Sequence, residues 1–228
     1  MGRKALILGE TSQGKSTSGR NLDPATTFWI NVTGKDLPFK GWKKLYQRYD
    51  PQTGKGNYLH SKDWKQIEGA IKHVSAKLPH IKLIIVDDAQ YIMSFEFMAR
   101  ASEKGFDKFT EIQTHFFEVI TAPDSTREDL TTVFLSHTED VSANGVSRTK
   151  MKTIGKMLDE KITLEGLFSV VLMSYAYKQQ DKTMKYVFVT QTNGSMPAKS
   201  PIGMFGETVI DNDLQDVLTK MAKYYEGE

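Results

Sequence analysis

The 228-residue chain contains no cysteine, which excludes disulfide bonds, cysteine-ligated zinc, iron–sulfur clusters and thiol catalysis, and fits a reducing compartment. A strong charge of one sign is also absent, because 30 basic and 28 acidic residues leave a formal net charge of +2. Any surface that binds nucleic acid would therefore have to be local, since the molecule as a whole offers little net attraction to phosphates.

Long apolar runs are lacking near the start of the chain. The run 5–8 is too short for a signal peptide or a membrane span, and Leu6 breaks the myristoylation pattern, which needs Ser or Thr there. The Asn-Val-Thr triplet at 31–33 is interpreted as a chance match to the glycosylation acceptor, because the chain shows no export signal. We therefore expect a cytoplasmic protein without a membrane partner.

Short apolar runs rich in β-formers alternate with segments of helical periodicity, which predicts an α/β fold with a mainly parallel sheet between helices. The polar stretch 178–183 indicates an antiparallel hairpin at one edge of the sheet. We predict one domain over residues 1–228, with loops at 35–60, 138–153 and 193–205. The predicted strands are 4–8, 27–32, 82–86, 131–136, 168–174 and 186–192. The predicted helices are 15–20, 61–77, 107–121, 154–162 and 211–225.

The segment 9–16 matches the P-loop pattern Gly-x4-Gly-Lys-Ser and lies between a predicted strand and a predicted helix, which is the context that the motif requires. Gly9 and Gly14 let the backbone curl so that its N–H groups, with the helix N-terminus, point at phosphate oxygens. We expect Lys15 to contact the β- and γ-phosphates of ATP and Ser16 to ligate Mg²⁺. The alternative is an ordinary glycine-rich turn. The predicted nucleotide-binding residues are Gly9, Glu10, Thr11, Ser12, Gln13, Gly14, Lys15, Ser16 and Thr17.

A second motif, residues 83–88, is an apolar strand that ends in two carboxylates, which is the Walker B arrangement. We expect Asp87 to hold Mg²⁺, directly or through water. Asp88 occupies the position where many P-loop ATPases carry the carboxylate that orients and deprotonates the attacking water. The alternative for Asp88 is an acid that merely caps the strand end.

A third motif is the apolar strand 131–136, which is followed by His137. In P-loop ATPases a polar residue at the tip of the next strand often senses the γ-phosphate, and His137 is the candidate for that role. The alternative is a polar side chain that is satisfied within the protein. The other four histidines show no metal-ligand spacing and are given no role.

With these motifs in order, the sequence resembles the small RecA/RadA-core ATPases of tailed bacteriophages, which are grouped with single-strand annealing and recombination proteins. That resemblance implies a RecA-like core and ATP hydrolysis in phage DNA recombination or replication, in the host cytoplasm. It also implies action on single-stranded DNA, often beside a single-strand-binding protein. RecA itself carries its catalytic Glu on a strand other than Walker B, and the predicted strand 27–32 has no acidic residue for that role. This difference favours Asp88 as the catalytic base. The resemblance rests on residues 9–17, 31–39, 83–88, 135–137 and 190–205.

A RecA-like core usually completes its ATP site at a subunit boundary with a neighbour's Arg or Lys, so the resemblance implies a homo-oligomer. Lys199 is the candidate for this trans-acting role, and the alternative is a solvated surface lysine. For single-stranded DNA, the segment 142–152 contains Arg148, Lys150 and Lys152 and no acidic residue, so we predict that these three residues contact DNA phosphates. The alternative is a solvated loop. The aromatic and basic stretch 40–49 is explained more simply by packing.

We therefore predict a DNA-stimulated ATPase in which Lys15, Asp88, His137 and Lys199 act in catalysis. One alternative is a helicase loader or motor whose turnover is stimulated by a protein partner. Another is a nucleotide-regulated binding switch with little turnover. A small-molecule kinase is less favoured, because no arginine-rich lid follows the sheet.

Overall fold

Ten strands are present in the computed structural model, which describes residues 1–143, 146–155, 162–192 and 194–227. They are β1 (Arg3–Leu8), β2 (Thr27–Asn31), β3 (Tyr58–His60), β4 (Leu83–Asp87), β5 (Thr131–Ser136), β6 (Thr138–Ala143), β7 (Val146–Met151), β8 (Val170–Lys178), β9 (Met184–Val189) and β10 (Val209–Asp211). Eight of these strands form one mixed sheet in the order β10-β9-β8-β1-β5-β4-β2-β3, and β6 pairs with β7 in a separate antiparallel hairpin.

Helices cover both faces of the large sheet. Within the described residues the α-helices are α1 (Trp42–Leu45), α2 (Trp64–Lys77), α3 (Tyr91–Ala99), α4 (Asp107–Thr121) and α5 (Leu214–Glu226). Short 3₁₀ helices cover Ser16–Asn21, Ala122–Ser125 and Leu164–Leu167. None of the helices in this part of the chain is long and apolar enough to cross a bilayer.

The core is divided by the sheet into two clusters, because successive side chains of a strand point to opposite faces. In β1, Leu6 and Leu8 join one cluster, whereas Ala5 and Ile7 join the other. Helices α2 and α4 bury their apolar stripes in the first cluster, and α5 buries its stripe in the second. The sheet is therefore a central layer between helices, as the sequence predicts.

Six neighbouring strands, from β8 to β3, run parallel, and this arrangement fixes the place of the candidate site. Parallel strands end at the same edge of the sheet, and in α/β sheets ligands bind outside those carboxyl ends. Leu8 is in register with Ser136, and Asn31 with Asp87. The loops that follow β1, β2, β4 and β5 therefore converge at one edge.

All six predicted strands are present, and the bounds of 131–136 and of the helix 107–121 agree with the prediction. The helices predicted at 61–77 and 211–225 begin a few residues later, because Asp63 and Asp213 are their N-caps. Asp63 accepts hydrogen bonds from the backbone N–H groups of Lys65 and Gln66, and Asp213 accepts one from Gln215. The helix predicted at 154–162 falls largely on residues outside the described part of the chain.

The helix predicted at 15–20 is present at Ser16–Asn21, but it is a 3₁₀ helix rather than an α-helix. Its sequence, Ser-Thr-Ser-Gly-Arg-Asn, consists mostly of weak helix formers. Gly19 also packs so closely on the Trp29 ring that a Cβ there would lie 2.7 Å from it. A short 3₁₀ turn offers less of the expected helix dipole, so the loop N–H groups must carry more of any phosphate binding.

Two further corrections concern hairpins. The predicted loop 138–153 is largely the antiparallel pair β6–β7. The predicted hairpin of β8 and β9 is present, but β10 pairs antiparallel with the outer side of β9 and is the true edge strand.

Three other elements are absent from the prediction. Residues 35–60, predicted as loop, include α1 and β3, and α3 has no counterpart among the predicted helices.

Candidate active site

The glycine loop, residues 9–15, follows β1 at the carboxyl edge and depends on two glycines. A Cβ on Gly9 would lie 2.7 Å from the backbone oxygen of Ser174. Gly14 has a φ of +92° and packs on Tyr186, whose Cδ1 would be 2.7 Å from an added Cβ. Both positions therefore require glycine, one because of a close approach and the other because of its left-handed backbone as well.

Gln13, whose type the P-loop pattern leaves free, fixes the glycine loop to β8. Its backbone oxygen accepts a hydrogen bond from Ser174 Oγ at 2.6 Å, and its side-chain Oε1 accepts one from the Ala176 N–H. Asn212 Nδ2 in turn donates to Ser174 Oγ at 3.1 Å. The loop is thus held on β8 by side chains that lie far away in the sequence.

Lys15 is buried, with 6% of its surface exposed. Its ammonium donates to the backbone oxygens of Gly9 at 2.8 Å and Glu10 at 2.7 Å. Burial lowers the pKa of Lys15 to about 8, against the opposing effect of the carboxylates of Asp88 and Asp87. A cation is therefore held within the curl of the glycine loop.

Asp87, at the end of β4, is fully buried and accepts a hydrogen bond from Ser16 Oγ to its Oδ1 at 2.8 Å. Its Oδ2 is buried without a hydrogen-bond partner. Burial, and then the charge of Asp88, raises the pKa of Asp87 to about 6. The charges of Lys35 and Lys15 act in the opposite direction but do not offset these effects, so the ionised form needs further positive charge.

A divalent cation would supply that charge. Mg²⁺ takes oxygen ligands and is held by one or two protein groups, with water and phosphate oxygens completing its shell. The hydroxyl of Ser16 and the unpartnered Oδ2 of Asp87 fit that requirement. No cluster of three or more His, Asp or Glu that could hold a metal without a nucleotide occurs among the described residues.

Asp88 directs its carboxylate into the site from an unusual backbone conformation, with a φ of +63°. Its Oδ2 accepts from Lys35 Nζ at 2.6 Å and from Thr33 Oγ1 at 3.1 Å, and its Oδ1 lies 3.3 Å from His137 Nε2. Burial would raise the pKa of Asp88, but hydrogen bonds from His137 and Lys35 outweigh it and lower the pKa to about 2. Asp88 is therefore ionised at any ordinary pH.

His137 connects the glycine loop to Asp88. Its Nδ1 lies 3.4 Å from Thr11 Oγ1, and its Nε2 faces Asp88. Its backbone N–H donates to Gln90 Oε1 at 3.1 Å, and Ser136 Oγ donates to the same oxygen at 3.1 Å. The structure therefore brings His137 to the candidate site, as the sequence predicts.

Lys35 lines the cleft but is not among the site residues that the sequence predicts, because 35–60 is predicted as a loop. Asn31, at the end of β2, fixes the turn that leads to Lys35. Its Nδ2 donates to the Lys35 backbone oxygen at 2.7 Å, and its Oδ1 accepts from the Gly34 N–H at 2.8 Å. Burial would lower the pKa of Lys35, but the hydrogen bond and charge of Asp88 raise it above its ordinary value. The missed signal was the Asn-x-x-Gly pattern after a strand, which is typical of a turn fixed by an Asn side chain.

These groups line one cleft of about 330 Å³. A larger recess of about 720 Å³ shares Thr17 and Tyr186 with it. Of the predicted site residues, 11–17, Asp88 and His137 line the cleft, whereas Gly9 and Glu10 do not. Asp87 is buried and is joined to the cleft by its hydrogen bond from Ser16. The residues that line the cleft are Thr11, Ser12, Gln13, Gly14, Lys15, Ser16, Thr17, Lys35, Asp36, Pro38, Asp88, His137 and Tyr186.

Lys199 does not line the cleft of its own chain. It forms an isolated antiparallel bridge with Val171, in which each backbone N–H donates to the other's oxygen at 2.8 Å. Val171 lies three residues before Ser174, which contacts the glycine loop, so Lys199 is set back from the carboxyl edge. A contribution of Lys199 to a neighbouring subunit stays a prediction.

The three predicted DNA-binding residues lie on or just after β7 rather than in a loop. Lys150 stands opposite Glu139 on β6 and forms an ion pair with it at 3.3 Å. Arg148 and Lys152 are exposed, and the Lys152 N–H donates to the His137 backbone oxygen at 2.9 Å. The hairpin thus carries acids on β6 that the window 142–152 did not include, and its basic character is weaker than predicted.

Comparison of the chain with protein-family models gives no match, and comparison with curated proteins gives none either.

Proposed function

We propose that this protein binds ATP with Mg²⁺ and hydrolyses it at the cleft beside the glycine loop. The observation that carries the proposal is the bond between Ser16 and the buried Asp87, whose second oxygen has no partner. These two oxygens, which suit Mg²⁺, lie directly beside a loop whose curl holds a lysine, and this supports the proposal. Mg²⁺, when bound there, would neutralise charge on the phosphates and polarise them.

The other groups of the cleft fit the remaining tasks of phosphoryl transfer. The N–H groups of the glycine loop and the Lys15 ammonium bind phosphate oxygens and stabilise their negative charge. Asp88, which is ionised and directed into the cleft, orients a water molecule. His137 holds Asp88 in place and lies close enough to Thr11 to respond to the position of the loop.

The first test is steady-state ATP hydrolysis by the wild type and by Lys15→Ala, with Mg²⁺ and with excess EDTA. We expect Mg²⁺-dependent turnover in the wild type and a decrease of at least a hundredfold in Lys15→Ala, because a buried charge-assisted bond to phosphate is removed. Equal turnover in both proteins would refute the assignment of the site. A mutant of exposed Lys77, at the end of α2, is the control for a change of lysine to alanine.

For the biological role we propose an ATPase of DNA recombination or replication that acts on single-stranded DNA, within a RecA-like core and a homo-oligomer. Support comes from the hairpin β6–β7, which begins immediately after His137 and is hydrogen-bonded back to it through Lys152. A change in the position of His137 at the cleft can therefore be transmitted along a short stretch of chain to exposed basic side chains. A single-strand-binding protein would be a partner in the same process.

A nucleotide-regulated switch with little turnover is the second candidate. It is favoured by the ion pairs of Asp88, because a carboxylate with a pKa of about 2 is a poor proton acceptor. Tight ATP binding with slow hydrolysis, unaffected by DNA, would support the switch. Basal turnover without DNA stimulation would favour a loader or motor that responds to a protein.

A further inference from the structure

We infer that Lys35 reads the γ-phosphate: it exchanges its ion pair with Asp88 for one with the terminal phosphate of a bound nucleoside triphosphate. The inference rests on the proposed function, because it needs a nucleotide in the cleft. It adds Lys35 to the residues of the proposed site. It also implies that the protein binds a nucleoside triphosphate more tightly than a diphosphate.

The position of Lys35 suits this exchange. Its side chain lines the same cleft as Lys15, and its Nζ lies 2.6 Å from Asp88 Oδ2. The two partners differ in solvent exposure: the Lys35 side chain is 54% exposed, whereas the Asp88 side chain is 1% exposed. Lys35 is therefore the partner that can move without disturbing the core.

The backbone around Lys35 is fixed, so the movement is confined to its long side chain. Asn31, which is fully buried, binds both the Lys35 backbone oxygen and the Gly34 N–H. Gly34 has a φ of +71°, and a Cβ there would lie 2.5 Å from the His60 ring. A rigid loop thus presents a flexible four-carbon stem with a point charge at its end, which suits a phosphate.

Asp88 remains satisfied when Lys35 leaves it, because Thr33 and His137 stay within reach of its two oxygens. Arrival of the γ-phosphate therefore frees the position on Asp88 Oδ2 that Lys35 occupied, so that a water molecule can bind there.

Hydrolysis in this arrangement needs no reactant other than ATP and water. The water oxygen forms a bond to the γ-phosphorus as the bond from that phosphorus to the β–γ bridging oxygen breaks, and the bonding pair leaves with ADP. A water proton passes to Asp88 and then to an oxygen of the inorganic phosphate. ADP has no γ-phosphate, so Lys35 returns to Asp88 after release.

The test is equilibrium binding of two probes, the β,γ-imido analogue of ATP and ADP, each with Mg²⁺, to the full chain and to Lys35→Gln. We expect the variant to bind the triphosphate analogue about tenfold more weakly and ADP almost unchanged, since the substitution removes a charge-assisted bond that only the triphosphate makes. Lys35→Arg, which keeps the charge, should restore most of the triphosphate affinity.

Lys40→Gln is the matched control, because it removes the same charge from an exposed lysine outside the cleft. It should leave both affinities unchanged. Equal weakening of both nucleotides by Lys35→Gln, or no weakening, would overturn the role of Lys35 while the proposed function stands. If the wild type binds neither probe, the proposed function fails, and the inference fails with it.

Discussion

At the scale of single residues, the site sets two adjacent carboxylates in opposite electrostatic environments. Asp87 is buried with one unpartnered oxygen, so its ionised form is disfavoured. Asp88 has Lys35 and His137 as partners, so its ionised form is favoured. Such a divergence is typical of functional sites, because a protein that only had to be stable would not leave a buried carboxylate without compensation.

This divergence predicts opposite effects of two isosteric substitutions on the free energy of unfolding, measured in urea at pH 8 with EDTA. The folded-state pKa of Asp87 is raised to about 6, so its ionisation destabilises the fold above that pH, and Asp87→Asn should stabilise by roughly 2–3 kcal/mol. The folded-state pKa of Asp88 is lowered to about 2, so its ionisation stabilises the fold, and Asp88→Asn should destabilise by roughly 2 kcal/mol.

The pH dependence of each effect follows from the same pKa values. The gain from Asp87→Asn should fade as the pH falls from about 6 towards the unfolded-state pKa, because wild-type Asp87 becomes protonated in the fold. The destabilisation by Asp88→Asn should persist through that range and vanish only near pH 2. Effects of the same sign at pH 8 would show that the two carboxylates do not differ as described.

At the scale of elements, the glycine loop is positioned by its contact with β8. Gly9 lies so close to the Ser174 backbone oxygen that a side chain would push the loop away from that strand. Gly69, on the exposed side of α2, has no atom within 4 Å of an added Cβ. The same substitution therefore has opposite expected consequences at the two positions.

We expect Gly9→Ala to weaken ATP binding at least tenfold, because displacement of the loop changes the positions of its N–H groups and of Lys15 relative to the rest of the cleft. Gly69→Ala should leave ATP binding unchanged and raise the free energy of unfolding by about 0.5–1 kcal/mol, since alanine is the better helix former. Titration with a fluorescent ATP analogue and thermal unfolding measure the two effects. Normal ATP affinity in Gly9→Ala would exclude a role for this contact in binding.

Elements that depend on local pattern could be predicted from the sequence, whereas those that depend on distant partners could not. The strand 131–136 contains a short continuous apolar run, the helix 107–121 has clear apolar periodicity, and the bounds of both are confirmed. The hairpin β6–β7 is mostly polar, and its signal was the Asn-Gly pair in the sequence at 144–145, which favours two-residue hairpin turns. The edge strand β10 has only three residues and exists through pairing with β9.

The same distinction applies to the site. The glycine loop and the two carboxylates carry local signatures, so their residues were identified without a structure. Lys35 carries none by itself, because its role depends on the side chain of Asn31 and on a carboxylate 53 positions away in the sequence. The support of Gln13 by β8 is likewise a contact between distant segments.

At the scale of the whole molecule, charge must be judged by its arrangement, because the net charge is only +2. The hairpin β6–β7 joins the carboxyl edge of the sheet directly at His137, with the exposed cations Arg148 on β7 and Lys152 just after it. Glu139 partly neutralises Lys150 across the strands. If the hairpin contacts single-stranded DNA, Arg148 and Lys152 therefore contribute more to that contact than Lys150 does.

Reversal of both charges in the double variant Arg148→Glu, Lys152→Glu should abolish most of the binding to single-stranded DNA. Removal of one phosphate-binding cation should reduce the slope of log affinity against log salt by about 0.7, so the double variant should show a slope smaller by about 1.4. DNA-stimulated ATP hydrolysis should fall in parallel, because the hairpin is joined to the cleft through His137. Lys223→Glu, on the exposed surface of α5, changes charge without touching the hairpin and should leave the slope unaltered. An unchanged slope in the double variant would place any DNA contact elsewhere and would separate the role of the cleft from that of the hairpin.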